Sequence, residues 1–146
     1  MVFYYPLEYT LMEITDSLSN DNKDAPDWFH SAISQSPRKE NFNHSLGKLA
    51  YQVWDRKDAQ DIILLIHGTG AHKMWWDPIG PLLNNKFSVI APDLPGMGES
   101  DHRNAYNFEE FSEALIAIIK QEKIVSNDKK IYLVGHSLGG HVAGFM

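Results

Sequence analysis

Residues 131–146 read IYLVGHSLGGHVAGFM. The run Ile131–Val134 is continuously apolar and ends in glycine, as a strand covered on both faces should be. Gly135-His136-Ser137-Leu138-Gly139 follows as a G-x-S-x-G, and the residues after it can continue as a helix. By composition alone that pattern arises in roughly one chain in twenty of this length, with Gly and Ser each near 7%. Its position between a buried strand and a helix makes it far more specific. A strand that turns straight into a helix bends too sharply for a Cβ at the neighbouring positions, hence Gly135 and Gly139. The serine between them is expected in a strained backbone conformation. Its Oγ then stands exposed beside the first N–H groups of the helix, Leu138 first, where a developing oxyanion can be held. Gly140 adds room at the same place.

Two further runs upstream have the same character, IILLIHG over 62–68 and FSVIAPD over 87–93. Segments with helical spacing separate them. Asp77-Pro78 reads as an N-cap followed by proline at the first helical position, with Pro81 keeping that helix short. Asn107 with Glu110 reads as a capping box. It opens a stripe of Phe108, Phe111, Leu115, Ile118 and Ile119, with Glu109, Glu110 and Glu113 off it. The order strand–helix–strand–helix–strand predicts an open α/β sheet with mostly parallel strands, flanking helices and right-handed crossovers. Upstream, DWFHSAISQ predicts a short helix. NFNHS and LGKLAYQVW then predict two strands around a turn at Gly47, with Leu49, Tyr51 and Val53 alternating.

Composition narrows the function classes. The chain has 146 residues, 43% of them apolar, which suits one domain with a real core and excludes a disordered chain. A net charge of -6 and no Lys/Arg run argue against a nucleic-acid grip or a polybasic membrane patch. With no cysteine, disulfides, thiolate metal sites and a cysteine nucleophile are excluded, which fits a cytoplasmic setting. No apolar stretch reaches the roughly 18 residues of a membrane span. The opening MVFYYPLEYTLMEITDS carries Glu8 and Glu13 and is not read as a secretory leader. Residues 1–25 are expected to be an aromatic-rich extension (Phe3, Tyr4, Tyr5, Tyr9) and a linker, and 26–146 the domain.

LLIHGTG, VIAPDLPGMGES and LVGHSLGG, in that order and spacing, resemble the three successive signatures of the α/β-hydrolase fold, in its serine-nucleophile, esterase- and lipase-like branch. The lead-in DWFHSAISQSPRKENFNHSLGKLAYQVW, residues 27–54, is also similar to that family's. The resemblance implies that Ser137 is the nucleophile, set on a nucleophile elbow. It implies the backbone N–H of Leu138 as one oxyanion donor and that of Thr69 as the second, with Gly70 as the fallback because this loop varies. His67 and Gly68 shape that loop, and His67 is expected to be structural. Asp93, Pro95, Gly96, Gly98 and Ser100 match the loop after the next strand, with Asp93 as a turn-closing acceptor. Of Trp75 and Trp76, one should pack in the core and one can line the pocket. His136 is expected to point away from Ser137, and His72, His102 and His141 to be loop or surface residues with no metal-ligand pairing.

In this fold the triad runs Ser, then Asp or Glu, then His along the chain. Only nine residues follow Ser137, so the resemblance implies that residues 26–146 are the N-terminal half of the fold, with the acid and the histidine beyond residue 146. A chain ending there is expected to be inactive alone, and the strand carrying Ser137 to be an exposed edge. The expected substrate is a small molecule with an ester- or thioester-like acyl bond, and no cofactor is implied. A serine argues against epoxide hydrolases and haloalkane dehalogenases, whose relatives carry Asp at that position. Carbon–carbon hydrolases, haloperoxidase-like relatives, a non-catalytic ligand- or partner-binding protein and a fragment without activity of its own stay open. Oligomeric state is not legible.

Overall fold

The apolar runs are too short to be helices and too continuous to face water, and they form the sheet. The computed structural model describes residues 24–122 and 128–146; the extension expected over residues 1–25 lies almost wholly outside them. The chain divides into two units, Met1–Ser31 and Ala32–Met146, and every described strand lies in the second. Helix α1 (Asp27–Ile33) forms where DWFHSAI predicts it, with Asp27 in its first turn, where a negative charge suits the helix dipole.

Strands β1 (Arg38–His44) and β2 (Gly47–Trp54) make the expected hairpin, with Gly47 at φ 92 in the turn. Next come β3 (Ile62–Ile66), a 3-10 turn (Lys73–Trp76), α2 (Gly80–Leu83), β4 (Ser88–Pro92), α3 (Phe108–Gln121), β5 (Ile131–Gly135) and α4 (Leu138–Phe145). The sheet order is β1-β2-β4-β3-β5. β4, β3 and β5 are parallel, whereas β2 pairs antiparallel with both β1 and β4, so the sheet is open and mixed, with β2 running against the other described strands.

β3 and β4 are buried along their whole length. One side of the sheet packs Leu49, Tyr51, Val53, Leu64, Ile66 and Ile90 against Phe111, Leu115 and Ile118 of α3 and Val142 of α4. The other packs Trp54, Ile63, Leu65, Val89 and Ala91 against Trp76. β2 therefore does not show one wet face: Ala50, Gln52 and Trp54 are buried along with Leu49, Tyr51 and Val53. β5 occupies the outer position, as expected, and alternates: Tyr132 and Val134 are exposed on a face that no described helix covers.

Three local readings are corrected. Asp77 is not an N-cap: α2 begins at Gly80 after Ile79, and the Asp77 carboxylate instead accepts from Gln52 Nε2 at 2.7 Å. The capping box at α3 is half made. Asn107 Oδ1 accepts from the Glu110 N–H at 2.8 Å, but the Glu110 carboxylate turns to Arg103 Nε at 3.1 Å rather than back to the cap. Phe108 lies off the buried face, which centres on Phe111, Ala114, Leu115 and Ile118; its ring stacks on Phe145 of α4 instead.

The C-terminal end of α3 is tied to the hairpin by charge. Glu122 accepts from Tyr51 Oη at 2.6 Å and from both terminal nitrogens of Arg38, which also forks onto Asp55. The hydrogen bonds to Asp55 and Glu122 hold the Arg38 pKa well above its ordinary value. Burial, then the bond to Glu122, pushes the Tyr51 phenol up.

Candidate active site

β5 runs into α4 with no intervening loop, and the turn between them is Ser137. It has φ 52 and ψ -118, and among the described residues it is the one non-glycine with positive φ. Such a conformation costs about 1–3 kcal/mol and persists only where the surroundings enforce it. Here they do. A Cβ on Gly135 would overlap the Gly139 carbonyl, and a Cβ on Gly139 would overlap the carbonyls of Ile66 and His67. Strand, turn and helix are thus pressed together and onto the end of β3. Gly68 lets the loop after β3 close on the same turn, since a Cβ there would stand 3.1 Å from Ser137 Cβ.

The donors around the serine follow from this turn. Gly139 N–H donates to the His136 carbonyl at 2.9 Å, and Gly140 and His141 donate to the Ser137 carbonyl at 2.9 and 3.2 Å. Leu138, the first residue of α4, is left with an N–H that has no acceptor among the described residues. In the loop after β3, the Ala71 N–H closes onto the Gly68 carbonyl at 3.2 Å, while those of Thr69 and Gly70 likewise have no described acceptor. Gly70 has φ 73, beyond the easy reach of other residues. Gly68, Thr69, Gly70 and Ser137 line one cavity of about 440 Å³, together with Ala71, His72, Met74, Trp75 and His136.

His136 is the correction here. It does not point away from Ser137 but lines the same cavity, stacked on Trp75 with ring centroids 5.7 Å apart. Strand alternation ends at Gly135, and the positive φ of Ser137 turns the chain, so period-two reasoning does not carry across the turn. The tryptophan pair is resolved. Trp76 packs in the core against Trp54, Ile63 and Leu65, and Trp75 lines the cavity. His72 is exposed at the cavity, and the His141 ring meets the Ser137 carbonyl at 3.1 Å. His102 lies away from both, near Tyr106 Oη. Among the described residues, no group of three His, Cys, Asp or Glu gathers to hold a metal ion.

His67 is fully buried, and both ring nitrogens are engaged. Its Nδ1 donates to the Gly68 carbonyl at 2.8 Å, and its Nε2 accepts from the Leu94 N–H at 3.1 Å. Those partners fix the neutral tautomer, and burial holds its pKa below the usual imidazole value. The ring clamps the loop after β3 to the loop after β4 and has no nitrogen free for a substrate.

Asp93 is fully buried at the end of β4 and accepts from the Glu99 N–H at 2.8 Å, which closes the turn. It does more than close a turn. Lys73 donates to it twice, from its backbone N–H at 2.6 Å and from Nζ at 2.7 Å, and Nζ also reaches Glu99 at 2.9 Å. Burial alone would lower the Lys73 pKa; the bonds to Asp93 and Glu99 outweigh it and hold the ammonium charged. Sequence reasoning passed over Lys73, whose one signal was negative. A buried aspartate between Pro92 and Leu94 needs a counter-charge, and the pattern does not say which of thirteen basic residues supplies it.

The site can do one kind of chemistry well. It presents an exposed hydroxyl, unpaired among the described residues, beside N–H groups without described acceptors at the start of α4 and in the loop after β3. No helix of the described residues is long and apolar enough to cross a membrane. The chain is 36% identical over 87 residues to the pimeloyl-[acyl-carrier protein] methyl ester esterase of Vibrio cholerae, covering 60% of this chain and 31% of that one. It is 39% identical over 82 residues to an uncharacterised protein of Mycobacterium tuberculosis, covering 56% and 23%. The solved Cif epoxide hydrolase of Acinetobacter nosocomialis superposes with a TM-score of 0.66 at 23% identity, over 99% of this chain and 42% of that one. The chain thus spans about a quarter to two fifths of the length of the curated relatives it matches. Residues 63–145, from the second residue of β3 to the end of α4, match the alpha/beta hydrolase family, and the chain belongs to it.

Proposed function

We propose that the protein is a serine hydrolase of small ester- or thioester-like substrates, with Ser137 as nucleophile. The observation that carries this is the backbone of Ser137, the sole described non-glycine at positive φ, held at the amino end of a helix on a cavity wall. Strain of that kind is kept where it aims a reacting group. In the proposed step, Ser137 Oγ bonds to the acyl carbon as its proton passes to a base. The carbonyl oxygen takes up negative charge between the N–H groups of Leu138 and Thr69, with Gly70 in reserve. Collapse breaks the bond to the leaving group, and water then frees the acid.

A serine oxygen suits acyl transfer, and the Vibrio cholerae relative is named for hydrolysing a methyl ester. Epoxide hydrolases and a haloalkane dehalogenase are also among the structural neighbours, and the serine at 137 is read as favouring acyl transfer over their chemistry. Among the described residues the Ser137 hydroxyl has no partner that could take its proton. The proposal therefore includes a histidine and an acid from outside the described residues. A cytoplasmic setting goes with it.

A fluorophosphonate probe tests the assignment. It should label the full-length protein on Ser137 and leave Ser137→Ala unlabelled. Full-length protein that is folded yet takes no label overturns the reading.

A further inference from the structure

Trp75 is 55% exposed and Met74 is 46% exposed, yet neither sits on a loose loop. The residues on either side of them are buried anchors. Lys73 is fixed at three points: its N–H and Nζ on Asp93, and its carbonyl accepting from Gln52 Nε2 at 3.1 Å. Trp76 is packed into the core under the sheet. The far side of Trp75 is held by the stack on His136, whose own backbone N–H donates to the Ile66 carbonyl at 3.0 Å. An exposed indole normally loses little by swinging into solvent. Here the backbone is anchored on both sides and the ring is stacked on His136, and it lines a cavity that Ser137 also lines. A cavity of about 440 Å³ lies within the range of small-molecule sites. An aromatic wall whose rings are already stacked on one another is partly pre-organised, so a ligand that meets it has less to order on binding.

We infer that the wall made by Met74, Trp75 and His136 is a recognition platform for a flat aromatic group on the substrate of Ser137. The inference rests on the reading of Ser137 as the acyl-accepting residue, because that fixes where the substrate carbonyl sits. The polar side of the cavity, at Thr69 and Gly70, holds the carbonyl, with the N–H of Leu138 next to Ser137. The aromatic side holds the ring, with the indole and imidazole supplying faces and edges and Met74 a polarisable thioether. A saturated ring of the same size would bury similar area but would gain neither the ring–ring geometry nor the sulfur–aromatic contact.

The test compares benzylacetone with its ring-saturated counterpart. Each is a methyl ketone that cannot be hydrolysed, and with no leaving side its ring can seat on either side of the carbonyl. Affinities are measured by calorimetry on the full chain, and the His136 ring protons are followed by NMR. The aromatic ketone should bind about two- to tenfold more tightly and shift the His136 ring protons. Trp75→Leu should erase that preference and Trp75→Phe should keep it; the exposure of Trp75 leaves the core intact in both. Equal affinity for the two ketones, no binding of either, or a preference that survives Trp75→Leu overturns the inference. Ser137→Ala separates the two readings. If the preference persists there while the unmodified protein takes no fluorophosphonate, the hydrolase reading falls alone. If Ser137 is labelled and the rings bind equally, the platform falls alone.

Discussion

Gly139→Ala should unfold the site from within, and the structure says by how much. The new Cβ would meet the Ile66 carbonyl well inside 3.0 Å, with the His67 carbonyl at 2.7 Å. Both atoms are backbone at the end of β3, in the middle of the sheet, so neither can turn away as a side chain would. α4 would have to retreat from β3 by about 1 Å to restore ordinary contact. That retreat loosens Val142 from the core and opens the turn that strains Ser137. Overpacking a close-packed site costs about 1–3 kcal/mol, and a clash with two fixed carbonyls belongs at the upper end. The better helix propensity of alanine returns at most about 1 kcal/mol. A net loss near 2 kcal/mol lowers the melting temperature by roughly 6–8 °C in a chain of this size. Gly144→Ala is the internal control. It lies in the same helix, its Cβ would meet nothing within 4 Å, and it should raise stability by a few tenths of a kcal/mol. Thermal unfolding followed by circular dichroism compares the two. If Gly139→Ala melts with Gly144→Ala, α4 is not pressed on β3 as described, and the account of the strained serine fails with it.

Ser137→Gly should be more stable than the unmodified protein by about 1 kcal/mol, because glycine adopts φ 52 without strain; a urea midpoint that falls instead would mean the turn carries no strain. Lys73→Met leaves Asp93 buried without its cation and should cost about 3 kcal/mol by urea unfolding. Adding Asp93→Asn should cost less than the single losses summed, and additive losses would deny the pairing. His67 is neutral in the folded chain with its pKa below the unfolded value, so the unfolded state binds more protons as pH falls past about 6.5. Its contribution is complete above that pH and is lost as pH drops toward the folded value, so His67→Gln should flatten that part of the stability–pH curve; an unchanged slope would contradict a buried neutral ring.

What the sequence made legible follows from which forces are local. The three apolar runs announce a sheet because their burial is written in consecutive residues, and β3 and β4 are buried at every position. The turn at Ser137 was legible because the glycines that permit it lie two residues to either side. Asp77 misled because an Asp-Pro pair suits a cap equally well in isolation. A buried amide 25 residues away, Gln52, claimed its carboxylate, and nothing near Asp77 records that. Glu110 misled for the same reason: its half of the capping box lost to Arg103, a charged partner stronger than a backbone N–H.

The candidate site divides along the same line. Ser137, Leu138, Thr69 and Gly70 stand at strand ends, and strand ends in a parallel sheet converge. Naming the strands was therefore enough to bring these residues together. Lys73, Trp75 and His136 owe their places to contacts across the sheet end, from 73 to 93 and from 75 to 136, which no periodicity encodes. The residues that were legible are those to which the resemblance assigns the holding of a carbonyl and the attack on it. Those that were not line or anchor the wall opposite, through contacts that no local pattern records. That is why the proposed reaction rests on residues that a local pattern marks, while the proposed aromatic platform rests on contacts that only the geometry shows.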